Sequence, residues 1–96
     1  MNKAREAFEA ATLNYFTVLG NAMTQFNQVK ELFPNQTFWP WAAANYPLVA
    51  AAERTRNSAQ TELYRVMQAY FGPDAAVLSG YMDRITNSQS SNAYPG

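Results

Sequence analysis

The sequence predicts an all-α protein: a long antiparallel helical hairpin with an aromatic- and Pro-rich connection plus a short C-terminal helix, packed into a multi-chain bundle. Apolar residues recur three and four positions apart over most of the chain, which is the period of an amphipathic helix. No segment alternates apolar and polar residues, and the β-branched residues are scattered, which argues against a sheet. Charged residues make up 15% of the chain, against about a quarter in an average soluble protein. This low proportion of charged residues indicates that much of the protein surface is covered by contacts and is not exposed to solvent.

The first predicted helix covers residues 3–33, a stretch without proline. Its apolar seam advances in steps of four and three residues and is interrupted only by a threonine. The seam consists of Phe8, Thr12, Tyr15, Leu19, Ala22, Phe26, Val29 and Phe33. Gly20 is the position at which a kink or break of this helix would be expected, but the apolar seam keeps the same phase on both sides of it. We therefore expect one continuous helix.

The predicted connection covers residues 34–46. A residue that precedes proline is pushed out of helical geometry, so Phe33 and Trp39 are expected to be extended. The second helix is predicted over residues 47–71, with Asn45 or Tyr46 as its N-cap. Its inner stripe is Leu48, Ala52, Thr55, Ala59, Leu63, Val66 and Tyr70, flanked by Val49 and Met67.

The Gly72-Pro73 pair is a typical stop for the second helix. Asp74 is a suitable N-cap for a short third helix over residues 75–85. The apolar residues of that helix are Leu78, Tyr81, Met82 and Ile85. Residues 1–86 thus form a single helical domain, and residues 87–96 are predicted to be a polar tail.

The composition argues against several classes of function. The chain has no Cys and no His, which removes thiol and imidazole catalysis, zinc sites and disulfides, so we expect no enzyme, cofactor or metal. Each carboxylate has a basic residue near it at helical spacing, which is typical of an ion-paired outer face. The formal net charge is zero, and Arg54, Arg56 and Arg65 lie beside Glu53 and Glu62, which favours a mixed-charge solvent face over nucleic-acid binding.

The N-terminal residues lack the apolar core of a secretory signal, and no apolar stretch is long enough to span a membrane. A cytoplasmic location is therefore expected, with non-classical export left open. Peripheral binding to an apolar surface also stays open.

The aromatic connection is the most informative feature for binding. Phe38, Trp39, Trp41 and Tyr46 lie within a few residues of one another, around Pro40. One interpretation is a contact surface for a partner, because Trp and Tyr supply much of the energy at interfaces. The other is a plug that folds back and caps the helix pair.

The helix seams predict self-association, since the apolar face of each helix is wider than a lone hairpin can cover. The residues expected at this contact between copies are Phe8, Tyr15, Leu19, Phe26, Leu63, Val66 and Tyr70. The preferred function is a non-enzymatic structural subunit of an oligomer or filament. The alternative is an amphipathic coat or protein-interaction module that uses the aromatic connection. A small-molecule binder has the least support.

A Cys-free chain of 96 residues with a helix, a Pro-containing turn and a second helix resembles the needle subunits of type III secretion systems. Residues 56–61 (RNSAQT) are similar to the second helix of those subunits, a likeness that implies a filament, but residues 73–96 have no counterpart in them. In size the chain also resembles secreted hairpins with a Trp-x-Gly turn, although its own turn reads Trp39-Pro40-Trp41. Residues 4–10 (AREAFEA) are similar to phasins, a likeness that implies a coat on storage granules.

Overall fold

The computed structural model describes residues 2–93, which form four α-helices and one short 3-10 segment. The helices are α1 (Asn2–Val29), α2 (Phe38–Asn45), α3 (Leu48–Phe71) and α4 (Ala75–Ala93), and the 3-10 segment is Lys30–Leu32. Within residues 2–93 there is no strand, and the prediction of an all-α fold is confirmed. Helix α1 passes through Gly20 without a break, as expected from the phase of its seam.

Helices α1 and α3 lie side by side and antiparallel. Phe8, near the start of α1, packs against Leu63 and Met67 in the second half of α3. Leu19, further along α1, packs with Val49 at the start of α3. At about 1.5 Å per residue α1 is about 42 Å long, and it sets the long dimension of a molecule that measures 51 × 27 × 22 Å.

The buried face of α3 differs from the predicted stripe. Its buried residues are Val49, Ala52, Leu63 and Met67. Leu48, Thr55 and Tyr70 of the predicted stripe are exposed. The prediction was wrong at these positions because the face that packs on α1 is shifted toward the flanking residues Val49 and Met67, and its buried residues include only Ala52 and Leu63 of the predicted stripe.

Helix α4 is longer than predicted and covers the hairpin. It runs from Ala75 to Ala93 rather than ending at residue 85, and Leu78 and Met82 pack on Phe8, Leu63 and Met67. Residues 87–93 of the predicted tail therefore belong to this helix, whereas residues 94–96 lie outside the described part of the chain. Helix α4 thus covers, within one chain, apolar residues that the sequence analysis assigned to a contact with a second copy.

The connection also contains a helix where none was predicted. Trp39 lies in the first turn of α2 and is not extended. Pro40 is tolerated at this position because the first N–H groups of a helix have no partner within it. Phe33 does leave helical geometry as expected, at φ −131° and ψ 65°. Asn45 does not cap α3: its Nδ2 atom donates to the carbonyl of Trp41, 3.0 Å away, at the end of α2.

The boundary between α3 and α4 agrees with the prediction. Gly72 follows α3 with φ +76° and ψ −172°, a conformation that residues with a Cβ rarely adopt. Asp74 caps α4, because its Oδ1 atom accepts hydrogen bonds from the backbone N–H of Ala76 at 3.1 Å and of Val77 at 3.3 Å. For the described residues, no helix is both long enough and apolar enough to cross a membrane.

Candidate interaction surfaces

The elongated shape gives the molecule two ends with different surfaces. We call the region formed by the end of α1, the 3-10 segment, α2 and the start of α3 the α2 end. The opposite region, formed by the start of α1, the end of α3 and the start of α4, is the Gly72 end. Because α1 and α3 are antiparallel and span the molecule, the two ends face in opposite directions.

The aromatic connection divides into an inner and an outer part. Trp41 is buried, and its ring centroid lies 5.4 Å from that of Phe26 on α1. Phe38 is half-buried and stands edge-on to Phe26 at 5.8 Å, and half-buried Tyr46 packs near Leu19. These rings hold α2 against the hairpin, as the plug interpretation predicts. Trp41, Phe38 and Tyr46 therefore cover this end of the hairpin within the chain itself.

Trp39, unlike Trp41, is exposed to solvent. Its side chain is 54% exposed and stacks edge-on against Phe38, with 5.1 Å between the ring centroids. Leu32, Phe33 and Leu48 are also exposed at this end of the molecule. The α2 end therefore presents several large apolar side chains to solvent, and such a concentration is typical of an interaction site.

A small groove lies between α2 and α3 beside Trp39. Its lining includes buried Ala42 and Val49 and exposed Ala43 and Ala50. Its volume is about 210 Å³, and Glu53 is its one charged lining residue. Since an engineered cavity of about 150 Å³ binds benzene, this groove has room for one aromatic ring.

The Gly72 end carries a second exposed apolar feature. Tyr70 and Phe71 are the last residues of α3, and they are 69% and 54% exposed. Their ring centroids are 6.4 Å apart, and we call them the ring pair. Lys3 lines a shallow depression together with these two rings. Val77, at the start of α4, is a further exposed apolar residue at this end.

The residues predicted to form the contact between copies have three different environments. Phe8, Leu19 and Leu63 are buried within the chain, so their place is the intramolecular core, and for them the predicted role is corrected. Tyr15, Phe26 and Val66 are half-buried. Tyr70 alone among the predicted residues is well exposed.

Thr12 and Arg56 introduce polar groups into the interface of α1 and α3. The Thr12 side chain is fully buried, and its hydroxyl has no hydrogen-bond partner among residues 2–93. The guanidinium carbon of Arg56 lies over the rings of Phe8 and Tyr15, at 5.7 and 5.9 Å from their centroids. Arg56 therefore packs against the helix seam, which corrects its predicted place on the solvent face.

Two of the ion pairs expected from helical spacing form, whereas Glu53 has no ion-pair partner among residues 2–93. Glu62 accepts a hydrogen bond from Nε of Arg65 at 3.1 Å, and this bond lowers the pKa of the Glu62 carboxyl and raises that of the guanidinium. Both side chains are exposed. Arg5 and Glu9 form a second pair, 3.6 Å from Nε to Oε1. These pairs stabilise helical surfaces, and the carboxylates in them have the environment of solvated charges.

Sequence reasoning identified the aromatic residues but missed the groove and the ring pair. The groove is lined by residues of α2 and α3, and α2 itself was not predicted. The Tyr70-Phe71 dipeptide next to Gly72-Pro73 was a usable signal, because rings at the last turn of a helix have few neighbours along the chain. Comparison of the chain with models of protein families, with curated proteins and with solved structures gives no match.

Proposed function

We propose that the protein is a non-enzymatic structural subunit that associates with further copies of itself. The observation that carries this proposal is the placement of the exposed apolar side chains at the two ends of an elongated molecule. Trp39 and Leu48 lie at the α2 end, and Tyr70 and Phe71 lie at the Gly72 end. Met23, in the second half of α1, is a further large exposed apolar residue among residues 2–93.

The extent of the surface also supports association. A compact protein of 10.8 kDa has about 5,500 Å² of accessible surface, whereas this chain has 6285 Å². Its radius of gyration is 15.8 Å, against about 12.5 Å for a compact domain of the same length. A zero net charge means that long-range repulsion does little to oppose contact between copies.

Size-exclusion chromatography with light scattering over a wide range of protein concentration tests this function. We expect the weight-average mass to rise above 10.8 kDa as the concentration increases. A mass that stays at the monomer value up to the solubility limit would contradict the proposal.

Two tryptophan variants separate association from folding. Trp39→Ala removes an exposed ring, so it should weaken association and leave the circular dichroism spectrum and Tm nearly unchanged. Trp41→Ala removes a buried ring and should lower the free energy of unfolding by about 3–5 kcal/mol. Equal loss of stability in the two variants would show that Trp39 is part of the cap and not of an interface.

A second candidate function is an interaction or coat module that uses the α2 end alone. The exposure of Leu32, Phe33, Trp39 and Leu48 at one end favours it, because amphipathic proteins bind apolar surfaces through such clusters. Flotation with liposomes tests this function. Flotation of the wild-type protein but not of Trp39→Ala would favour the coat function, and absence of flotation would exclude a lipid surface as its target.

A further inference from the structure

We propose that one ring of the ring pair of one copy inserts into the groove between α2 and α3 of the next copy, so that copies join end to end. This inference rests on the proposed self-association and specifies its partner surfaces. The ring pair is formed by Tyr70 and Phe71, and the groove is lined by Trp39, Ala42, Ala43, Val49, Ala50 and Glu53.

The first argument is the fit between the two surfaces. The groove of about 210 Å³ is mainly apolar and has room for one ring, and the ring pair offers two rings at the end of a rigid helix. An inserted ring would lie beside Trp39, whose exposed face is suited to an edge-on or offset aromatic contact. Anchors of this type, aromatic side chains in small pockets, contribute most of the binding energy at protein interfaces.

The second argument is charge complementarity at the edges of the same two surfaces. Glu53 lines the groove, and Lys3 lies beside the ring pair. Both side chains are exposed, and neither takes part in an ion pair within the described residues. Insertion of the ring pair would bring the ammonium group of one copy toward the carboxylate of the next, and this contact would set the orientation of the two copies.

The third argument concerns symmetry. A contact between two different surfaces is heterologous, and it leaves one free groove and one free ring pair at the two ends of any open chain of copies. Because the two surfaces lie at opposite ends of a molecule 51 Å long, repeated contact extends the assembly along its long axis. A two-fold dimer formed by one surface pairing with itself would stop at two copies.

Complementary variants test this arrangement. Ala50→Glu fills the groove of its own chain with a charged side chain, and Tyr70→Gln/Phe71→Gln removes the ring pair. Both sites are exposed on α3, so circular dichroism and Tm should stay close to the wild-type values. Each variant alone should be monomeric at concentrations where the wild-type protein associates. An equimolar mixture should form a dimer and nothing larger, because the only intact ring pair and the only intact groove belong to different chains.

Matched controls account for the added charge and for the loss of apolar surface. Ser58→Glu adds one charge to an exposed position of α3 outside the groove, and Val77→Gln removes an exposed apolar side chain at the Gly72 end. Both controls should associate as the wild-type protein does. Lys3→Glu and Glu53→Lys should each weaken association a few-fold, as expected for an exposed ion pair, and the double variant should regain it.

The outcomes separate the inference from the proposed function. A wild-type protein that is monomeric at every concentration overturns both. A wild-type protein that associates, while the groove variant and the ring-pair variant associate equally well on their own, overturns the inference alone. Association of the ring-pair variant by itself, together with loss of association in Ala50→Glu and no rescue on mixing, would assign the interface to a two-fold contact between grooves and would also overturn it.

Discussion

Replacement of Thr12 by valine should stabilise the protein. Thr12 lies in the apolar seam of α1, its side chain is fully buried, and its hydroxyl has no hydrogen-bond partner within residues 2–93. Other threonines on the helices behave differently: the hydroxyls of Thr17, Thr24 and Thr61 each donate to the carbonyl four residues earlier, at 2.9–3.0 Å. Thr12 thus holds a desolvated polar group that a methyl group of similar size can replace.

The expected gain in stability from Thr12→Val follows from the cost of burying a polar group without a hydrogen-bond partner, which is about 1–3 kcal/mol. Threonine and valine are both β-branched and have similar helix propensities, so the helix itself contributes little to the difference. We expect Thr12→Val to raise the free energy of unfolding by about 1–2 kcal/mol, which raises Tm by about 4–8 °C per kcal/mol in a domain of this size.

Thermal and urea unfolding followed by circular dichroism would measure this change. Thr17→Val is the matched control, because its hydroxyl is exposed and bonded to the Leu13 carbonyl, so no gain is expected there. Thr12→Ser keeps the hydroxyl and removes the buried methyl group, so it should destabilise the protein. A neutral or destabilising effect of Thr12→Val would show that the hydroxyl has a partner, such as Nε of Arg56, which is also buried and unpaired in this part of the structure.

Gly72→Ala should lower the free energy of unfolding by about 1–3 kcal/mol, because a residue with a Cβ is strained at φ +76° and ψ −172°. Gly80→Ala, within α4, should raise it by up to about 1 kcal/mol. Chemical denaturation measures both changes, and changes of the same sign would contradict the different roles assigned to the two glycines. Asp74→Ala should cost about 1 kcal/mol by removing the α4 cap, whereas Asp74→Asn should retain most of the stability in the same assay. Because Arg65 lowers the pKa of Glu62, the stabilisation by this pair is present above the ordinary value of 4.5 and is lost as the pH falls through the lowered pKa. Glu62→Gln should therefore lower Tm slightly near neutral pH but not in strong acid, and a loss of equal size at both pH values would show that the pair does not titrate with folding.

The helices of the hairpin could be predicted from the sequence because their signals are local. The seam of α1 has the same period from Phe8 to Val29, and Gly72 and Asp74 mark a helix end and a helix start by their own backbone chemistry. The extension of α4 could not be predicted from periodicity, since residues 86–92 are polar on every side and have no apolar stripe. In the structure this part of α4 lies along α1, where Gln89 and Ala93 are half-buried and line depressions together with α1 residues.

The candidate surfaces were harder to predict because they depend on which edge of the apolar stripe of α3 faces inward. The predicted stripe ran from Leu48 to Tyr70, and Val49 and Met67 flanked it. The structure buries Val49 and Met67 together with Ala52 and Leu63 of the stripe, which leaves Leu48 and Tyr70 exposed at opposite ends of the same helix. The inner face of α3 is thus turned by less than the roughly 100° between successive residues of a helix, and this small turn decides whether Leu48 and Tyr70 belong to the core or to the surface.

This choice of face also determines how copies of the chain can meet. If the seam residues Phe8 and Leu63 were exposed, helices of different copies would pack side by side, as in a coiled coil or a four-helix dimer. Helix α4 covers those residues with Leu78 and Met82, so lateral association through Phe8 and Leu63 would require the chain's own core to open. The apolar side chains that stay accessible then lie mainly at the α2 end and at the Gly72 end, where Trp39 and Phe71 are each 54% exposed. The end-to-end contact that we propose would therefore bury apolar surface without dismantling the fold of a single chain.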